Sequence, residues 1–144
     1  MRPLLVGESN PYGSNPKYAL YPNPEHSAGG RLCFKVMGLT QREYLERFDR
    51  VNLCAVGKWS MKAAKERAAL LVAFGEPSPV VLLGAKVCGA FFLKFEPFKS
   101  FQVVCHAKSR LCVILPHPSG LSRAWNEPGA FERARAVLRE AGVL

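Results

Sequence analysis

Acid is scarce in this chain: eleven Asp and Glu stand against twenty Lys and Arg, a formal net charge of +9 on 144 residues. That imbalance makes a polyanion the expected partner, nucleic acid ahead of membrane lipid. A generally basic surface without such a partner is the plainer alternative. Paired cysteines are missing too. Cys33, Cys54, Cys88, Cys105 and Cys112 are odd in number and contain no Cys-x-x-Cys spacing. Metal ligation by zinc or an iron–sulfur cluster is therefore not expected, and reduced, mostly buried thiols are. Long hydrophobic runs are also lacking. The longest, Val80 to Leu93, is interrupted by Lys86 and falls short of a membrane span. Leu4 to Val6 is too short for the apolar region of a signal peptide, so an intracellular protein with no membrane partner is expected. No internal repeat or low-complexity tract divides the chain.

What is present belongs to a globular protein. Residues 49% hydrophobic and 22% charged, over this length, suit one domain spanning 1–144 with a real core. Arg2 to Gly7 predicts a first strand, and Asn10-Pro11-Tyr12-Gly13 a turn after it. Residues 10–30 are rich in Pro, Gly, Asn and Tyr without periodicity, and a loop of that length in a compact domain tends to be functional. Ser27 is placed to cap a short helix through Leu32, Phe34 and Val36. Thr40 to Glu43 reads as a capping box opening a helix with Tyr44, Leu45 and Phe48.

Arg50 to Cys54 predicts a second strand. A helix from Ser60 to Gly75 then carries Met61, Ala64, Ala68, Leu71 and Val72 on one stripe. Pro79 to Leu83 has the unbroken apolar character of a strand buried on both faces. A short helix around Val87 and Phe91 follows, then strands at Phe101 to Cys105 and Leu111 to Leu115. A last helix runs from about Pro128 to Ala141. This alternation predicts an α/β fold, a three-layer αβα sandwich with a mainly parallel central sheet of four to five strands.

Four polar clusters follow strands: Gly7 to Gly13, Asn52 to Ser60, His106 to Arg110 and His117 to Ser122. In a parallel sheet such clusters gather at the carboxyl edge, where ligands bind. Each has a bland reading as well. Asn10 sits in what is equally a plain turn, Phe34 is equally a core residue, and Asn52 equally caps a strand end. His26 and His106 read as surface or structural residues.

Taken together the clusters resemble the uracil-DNA glycosylase superfamily. Its family-1 enzymes carry GQDPYHG after the first strand, then GLCFSV, an Asn ending a later strand, and HPSPLS late in the chain. The counterparts here are GESNPYG (Gly7 to Gly13), GRLCFKV (Gly30 to Val36), VNLC (Val51 to Cys54) and HPSGLS (His117 to Ser122), in the same order. The resemblance implies a monofunctional hydrolase that removes uracil or a related deaminated pyrimidine from DNA. It would act as a monomer, with no cofactor and no metal, in base-excision repair.

Residue by residue, the resemblance implies catalytic roles for Asn10, which would hold a water beneath the sugar, and His117, which would hydrogen-bond the base O2. Gly7, Tyr12, Phe34 and Asn52 would form the base pocket, with Tyr12 against the pyrimidine C5, Phe34 stacked on the base and Asn52 reading its edge. Ser119, Leu121, Ser122 and Arg123 would meet DNA, Leu121 filling the gap left by the departing base. The chain departs from the family-1 pattern in three places. Asn10 replaces an Asp, as in the mismatch-specific and single-strand-selective families. Gly13 stands where family 1 has His, and Gly120 where it has Pro. The 14–30 segment is also longer. A slow enzyme is the expectation. A catalytically inactive protein of the same fold that binds a modified base remains the alternative. A nucleotide- or phosphate-binding enzyme of the general α/β class is a third.

Overall fold

A computed structural model describes residues 2–9, 15–54, 58–105, 107–120 and 122–144. Its frame is a five-stranded sheet with helices on both sides. β1 (Leu4–Ser9) leads, through residues 16–18 in a short 3₁₀ turn, to α1, one α-turn at Ala28–Gly30 continued as a π-helix over Arg31–Val36. Then come α2 (Gln41–Arg47), β2 (Asp49–Cys54), α3 (Met61–Phe74), β3 (Val80–Leu83) and α4 (Ala85–Ala90). β4 (Lys99–Cys105), β5 (Lys108–Leu115), a 3₁₀ turn at Arg123–Asn126 and α5 (Ala130–Glu140) complete the order.

Local chemistry sets the helix starts. The Ser27 hydroxyl accepts the Gly30 amide at 3.0 Å, and the Ser60 hydroxyl accepts the Ala63 amide at 3.3 Å. At α2 the capping box is complete: Thr40 Oγ1 accepts the Glu43 amide at 3.2 Å, and the Glu43 carboxylate accepts the Thr40 amide at 3.1 Å. Hydrogen bonding from the Thr40 amide, and secondarily from its hydroxyl, holds the Glu43 carboxyl below its usual range.

The strands lie in the order β2-β1-β3-β5-β4. β2, β1, β3 and β5 are mutually parallel, and β4 is antiparallel to β5. Alternation along β3 shows why its sequence is apolar without a break. Val81 and Leu83 face one layer with Leu5, Tyr44, Phe48 and Leu138, while Val80 and Leu82 face the other with Val6, Ala64, Ala68 and Val87. So α1, α2 and α5 cover one face, and α3 and α4 the other. Cys33, Cys54, Cys88 and Cys112 are free and buried, and burial pushes the Cys33 thiol up to about 11 and those of Cys88 and Cys112 to about 12.

The mainly parallel sheet agrees with the sequence reading, but one polar cluster does not lie where a wholly parallel sheet would put it. β4 runs against β5, so its pairing of Cys105 with Lys108 stands at the amino edge of the parallel strands. Arg110 there is 4% exposed and serves the framework: its guanidinium donates to Ser78 O at 2.8 Å and Leu71 O at 2.9 Å, tying the end of α3 to the entry of β3. Among the described residues no helix is long and apolar enough to cross a membrane.

Candidate active site

After β1 the chain turns towards β2, and after β3 it turns the other way towards β5 and β4. Adjacent strands whose connections diverge leave a crevice at their carboxyl ends, the usual ligand position in such sheets. A cavity of about 390 Å³ occupies this edge. Glu8 and Ser9 from the end of β1, Asn52 from β2 and His117 just beyond β5 form its floor. Tyr18, Leu20, Tyr21 and the Ser27 to Gly29 turn complete its lining.

Asn52 reaches the cavity because of Gly7. The two residues are register partners in adjacent parallel strands, so any side chain at position 7 would share the amide's side of the sheet. A β-carbon on Gly7 would lie 2.5 Å from Asn52 Oδ1. The glycine thus leaves the Asn52 amide its present place, which any side chain at position 7 would displace.

His117 is fixed from three sides. Its carbonyl accepts the Trp125 indole N–H at 2.9 Å, and the next carbonyl, Pro118 O, accepts Arg31 Nε–H at 2.8 Å. Its ring Nδ1 accepts the Ser119 amide at 3.2 Å. An Nδ1 that accepts leaves the proton of the neutral ring on Nε2, so this imidazole is a donor at its far nitrogen. Burial pushes the ring's pKa down from its ordinary value; the nearby Glu8 carboxylate opposes this and Lys86 reinforces it, and the net direction is down. Gly84, with φ +95°, keeps the space behind the ring clear: a β-carbon there would come 3.2 Å from His117 Cβ.

The tyrosine wall is anchored in the core. Tyr44, fully buried, donates its hydroxyl to Leu20 O at 2.8 Å, and burial raises its phenol pKa well above the ordinary value. Arg50 donates to Ala19 O at 2.9 Å and lies 5.6 Å from the Tyr21 ring centre. Tyr18 and Tyr21 meet edge to face at 5.5 Å. Gly29 and Gly30 let the 20–25 backbone lie directly on the helix start, since a β-carbon on either would collide with carbonyls of Leu20, Tyr21, Pro24 or Glu25.

Of the residues singled out from sequence, Gly7, Asn52 and His117 come together here. Asn10, Tyr12 and Leu121 lie outside the described residues, as does His106. Ser119 orients the His117 ring, and its carbonyl accepts the Ser122 amide at 3.2 Å in a tight turn. Arg123 is exposed at the start of the following 3₁₀ turn. Phe34 is half-buried beside a neighbouring cleft and is not among the cavity's lining residues. Sequence does not single out Glu8, Tyr18 or Tyr21, and it marks Ser27 only as a helix cap. The aperiodic, tyrosine-bearing 10–30 segment was the available sign for three of them. Among the described residues no three His, Cys, Asp or Glu side chains are grouped to hold a metal ion. No protein-family model matches the chain, and no curated protein matches it.

Proposed function

We propose that this protein is a DNA glycosylase that hydrolyses the N-glycosidic bond of uracil, or of a closely related deaminated pyrimidine, and leaves an abasic site. One observation carries the reading: Asn52 and His117, whose Nδ1 is held by the Ser119 amide so that its neutral ring donates at Nε2, line the same cavity at the sheet's divergence point, together with two tyrosines. The order of the motifs resembling uracil-DNA glycosylases supports it, as does the chain's excess of positive charge.

In this mechanism the base leaves the stack, at a cost of a few kcal/mol, and enters the cavity. Tyr18 and Tyr21 offset part of that cost, because base–aromatic stacking contributes about 1–3 kcal/mol. The Asn52 carbonyl accepts N3–H and its amide donates to O4. Cytosine lacks the first and presents a donor at the second, so it leaves buried polar groups unpaired. As the N1–C1′ bond breaks, its electron pair passes to the uracil ring and negative charge gathers at O2. His117 Nε2–H stabilises that charge, a donor role typically contributing about 2.7–4 kcal/mol. Water adds to C1′ and its proton neutralises the departing base. An amide at position 10 accepts no proton, so it orients that water and does not deprotonate it. Cleavage is accordingly slow, and Asn10 favours a second reading, a modified-base-binding protein of the same fold. Either acts on DNA inside the cell, the first in base-excision repair.

The deciding experiment incubates the protein with single-stranded and duplex oligonucleotides bearing one uracil, then cleaves abasic sites with alkali. Strand breaks lost in His117→Ala and Asn52→Ala are expected. Tight uracil-dependent binding with no breaks at long times supports the second reading. Absence of DNA binding at low salt overturns both, since a charge of +9 predicts salt-dependent affinity.

A further inference from the structure

A second hollow borders the same 25–31 segment that lines the candidate active site. It measures about 280 Å³ and is lined by Glu25, His26, Arg31, Phe34 and Lys35. Ser27, Ala28 and Gly29 line the first cavity, so the two hollows share one wall. Arg31 also joins the cleft to the His117 loop, through its hydrogen bond to Pro118 O. The cleft combines an aromatic ring with two cations, Arg31 fixed by its bond to Pro118 O and Lys35 exposed, and a histidine against one carboxylate. That is the chemistry of a nucleotide: a base to stack on the ring and a phosphate for the cations. Lys35 is exposed, and its backbone carbonyl accepts a hydrogen bond from Arg135 at 3.0 Å.

We propose that this cleft is a subsite for a nucleotide adjoining the extruded one on the same DNA strand, its base stacked on Phe34 and its phosphate held by Arg31 and Lys35. The inference rests on the glycosylase reading for its choice of strand. It assigns Phe34 to a neighbour of the target base, whereas the resemblance to uracil-DNA glycosylases implied stacking on the target base itself. Contact with a flanking nucleotide lets the protein hold the strand at both hollows while the target base is out.

The test uses single-stranded oligonucleotides with a hydrolysis-resistant 2′-fluoroarabino-uracil at the target position, and a photoreactive 5-iodo group placed in separate oligonucleotides on that uracil or on a cytosine at one position on either side. Irradiation is expected to crosslink one flanking position to Phe34, located by mass spectrometry. Phe34→Ala should abolish that crosslink and raise the Kd about tenfold. Lys35→Ala should reduce the slope of log Kd against log salt by about one phosphate contact. Arg31 is left intact because its loss would disturb the His117 loop. A Phe34 crosslink seen only from the target position, or a flanking crosslink and Kd unchanged by Phe34→Ala, overturns the subsite. Uracil excision measured in parallel separates the two ideas. Excision without a flanking crosslink removes the subsite and leaves the glycosylase. A flanking crosslink without excision removes the glycosylase and leaves the subsite.

Discussion

Replacing Gly7 with alanine tests whether Asn52 is a working part of the site. The added methyl stands 2.5 Å from Asn52 Oδ1 and 3.1 and 3.3 Å from Leu20 Cδ2 and Cγ. To restore ordinary contact the amide oxygen must move from 2.5 to 3.4 Å, a retreat of about 0.9 Å. Leu20 needs only a few tenths of an ångström. Asn52 ends at the cavity and can swing into it, so the folding penalty should sit near the low end for overpacking, about 1 kcal/mol. Function should suffer more. A displacement of roughly 1 Å in a positioning group costs about a hundredfold in rate. Single-turnover excision of uracil from a single-stranded oligonucleotide, with a urea unfolding curve on the same sample, measures both. The effect must also be non-additive: on an Asn52→Ala background, Gly7→Ala should cost less than about threefold, because the group it displaces has gone. Activity of Gly7→Ala within about threefold of the wild type, or a full hundredfold loss on top of Asn52→Ala, refutes a role for Asn52 in the pocket.

Further outcomes follow from the same geometry. Because the His117 pKa is lowered, excision should stay constant as pH falls through the ordinary imidazole value near 6.5 and decline only below it. Stability runs the same way: below about pH 6.5 the unfolded chain binds a proton that the folded ring does not, so unfolding free energy falls with pH, and urea midpoints of His117→Gln should lose that slope. Tyr44→Phe leaves Leu20 O without its buried donor and should lower stability by about 1–3 kcal/mol, read from urea unfolding, while raising KM because Leu20 lines the cavity. Tyr21→Ala removes half of the aromatic wall and should weaken binding of uracil-containing DNA about tenfold by fluorescence anisotropy, with kcat less affected.

Much of the architecture is legible in the sequence because it is written in short-range chemistry. Ser27, Thr40 with Glu43, and Ser60 mark helix starts within three residues of their bonding partners, and those bonds form as expected. The apolar run at Val80–Leu83 needs cover on both faces wherever it lies, and that requirement alone implies helices above and below the sheet. Gly7, Asn52 and His117 are identifiable because each lies in the carboxyl half of a strand or just beyond it, and parallel strands bring such ends to one edge.

Other features depend on contacts that no local pattern announces. The reversal of β4 turns on a connection whose Ala107 adopts φ +62°, without the Asn-Gly or Asp-Gly pair that marks a tight hairpin in sequence. The tyrosine wall exists only because Tyr44, some two dozen residues on, holds Leu20 O, and because Gly29 and Gly30 admit the 20–25 backbone. Phe34 lies within a π-helical stretch, whose angular step per residue differs from that of an α-helix, so its motif position alone does not tell which hollow its ring borders. The sequence by itself determined the layers, the helix caps and the strand ends that gather the polar residues. Only tertiary structure decided which side chains share a cavity, because that depends on strand order and on backbone contacts between segments distant along the chain.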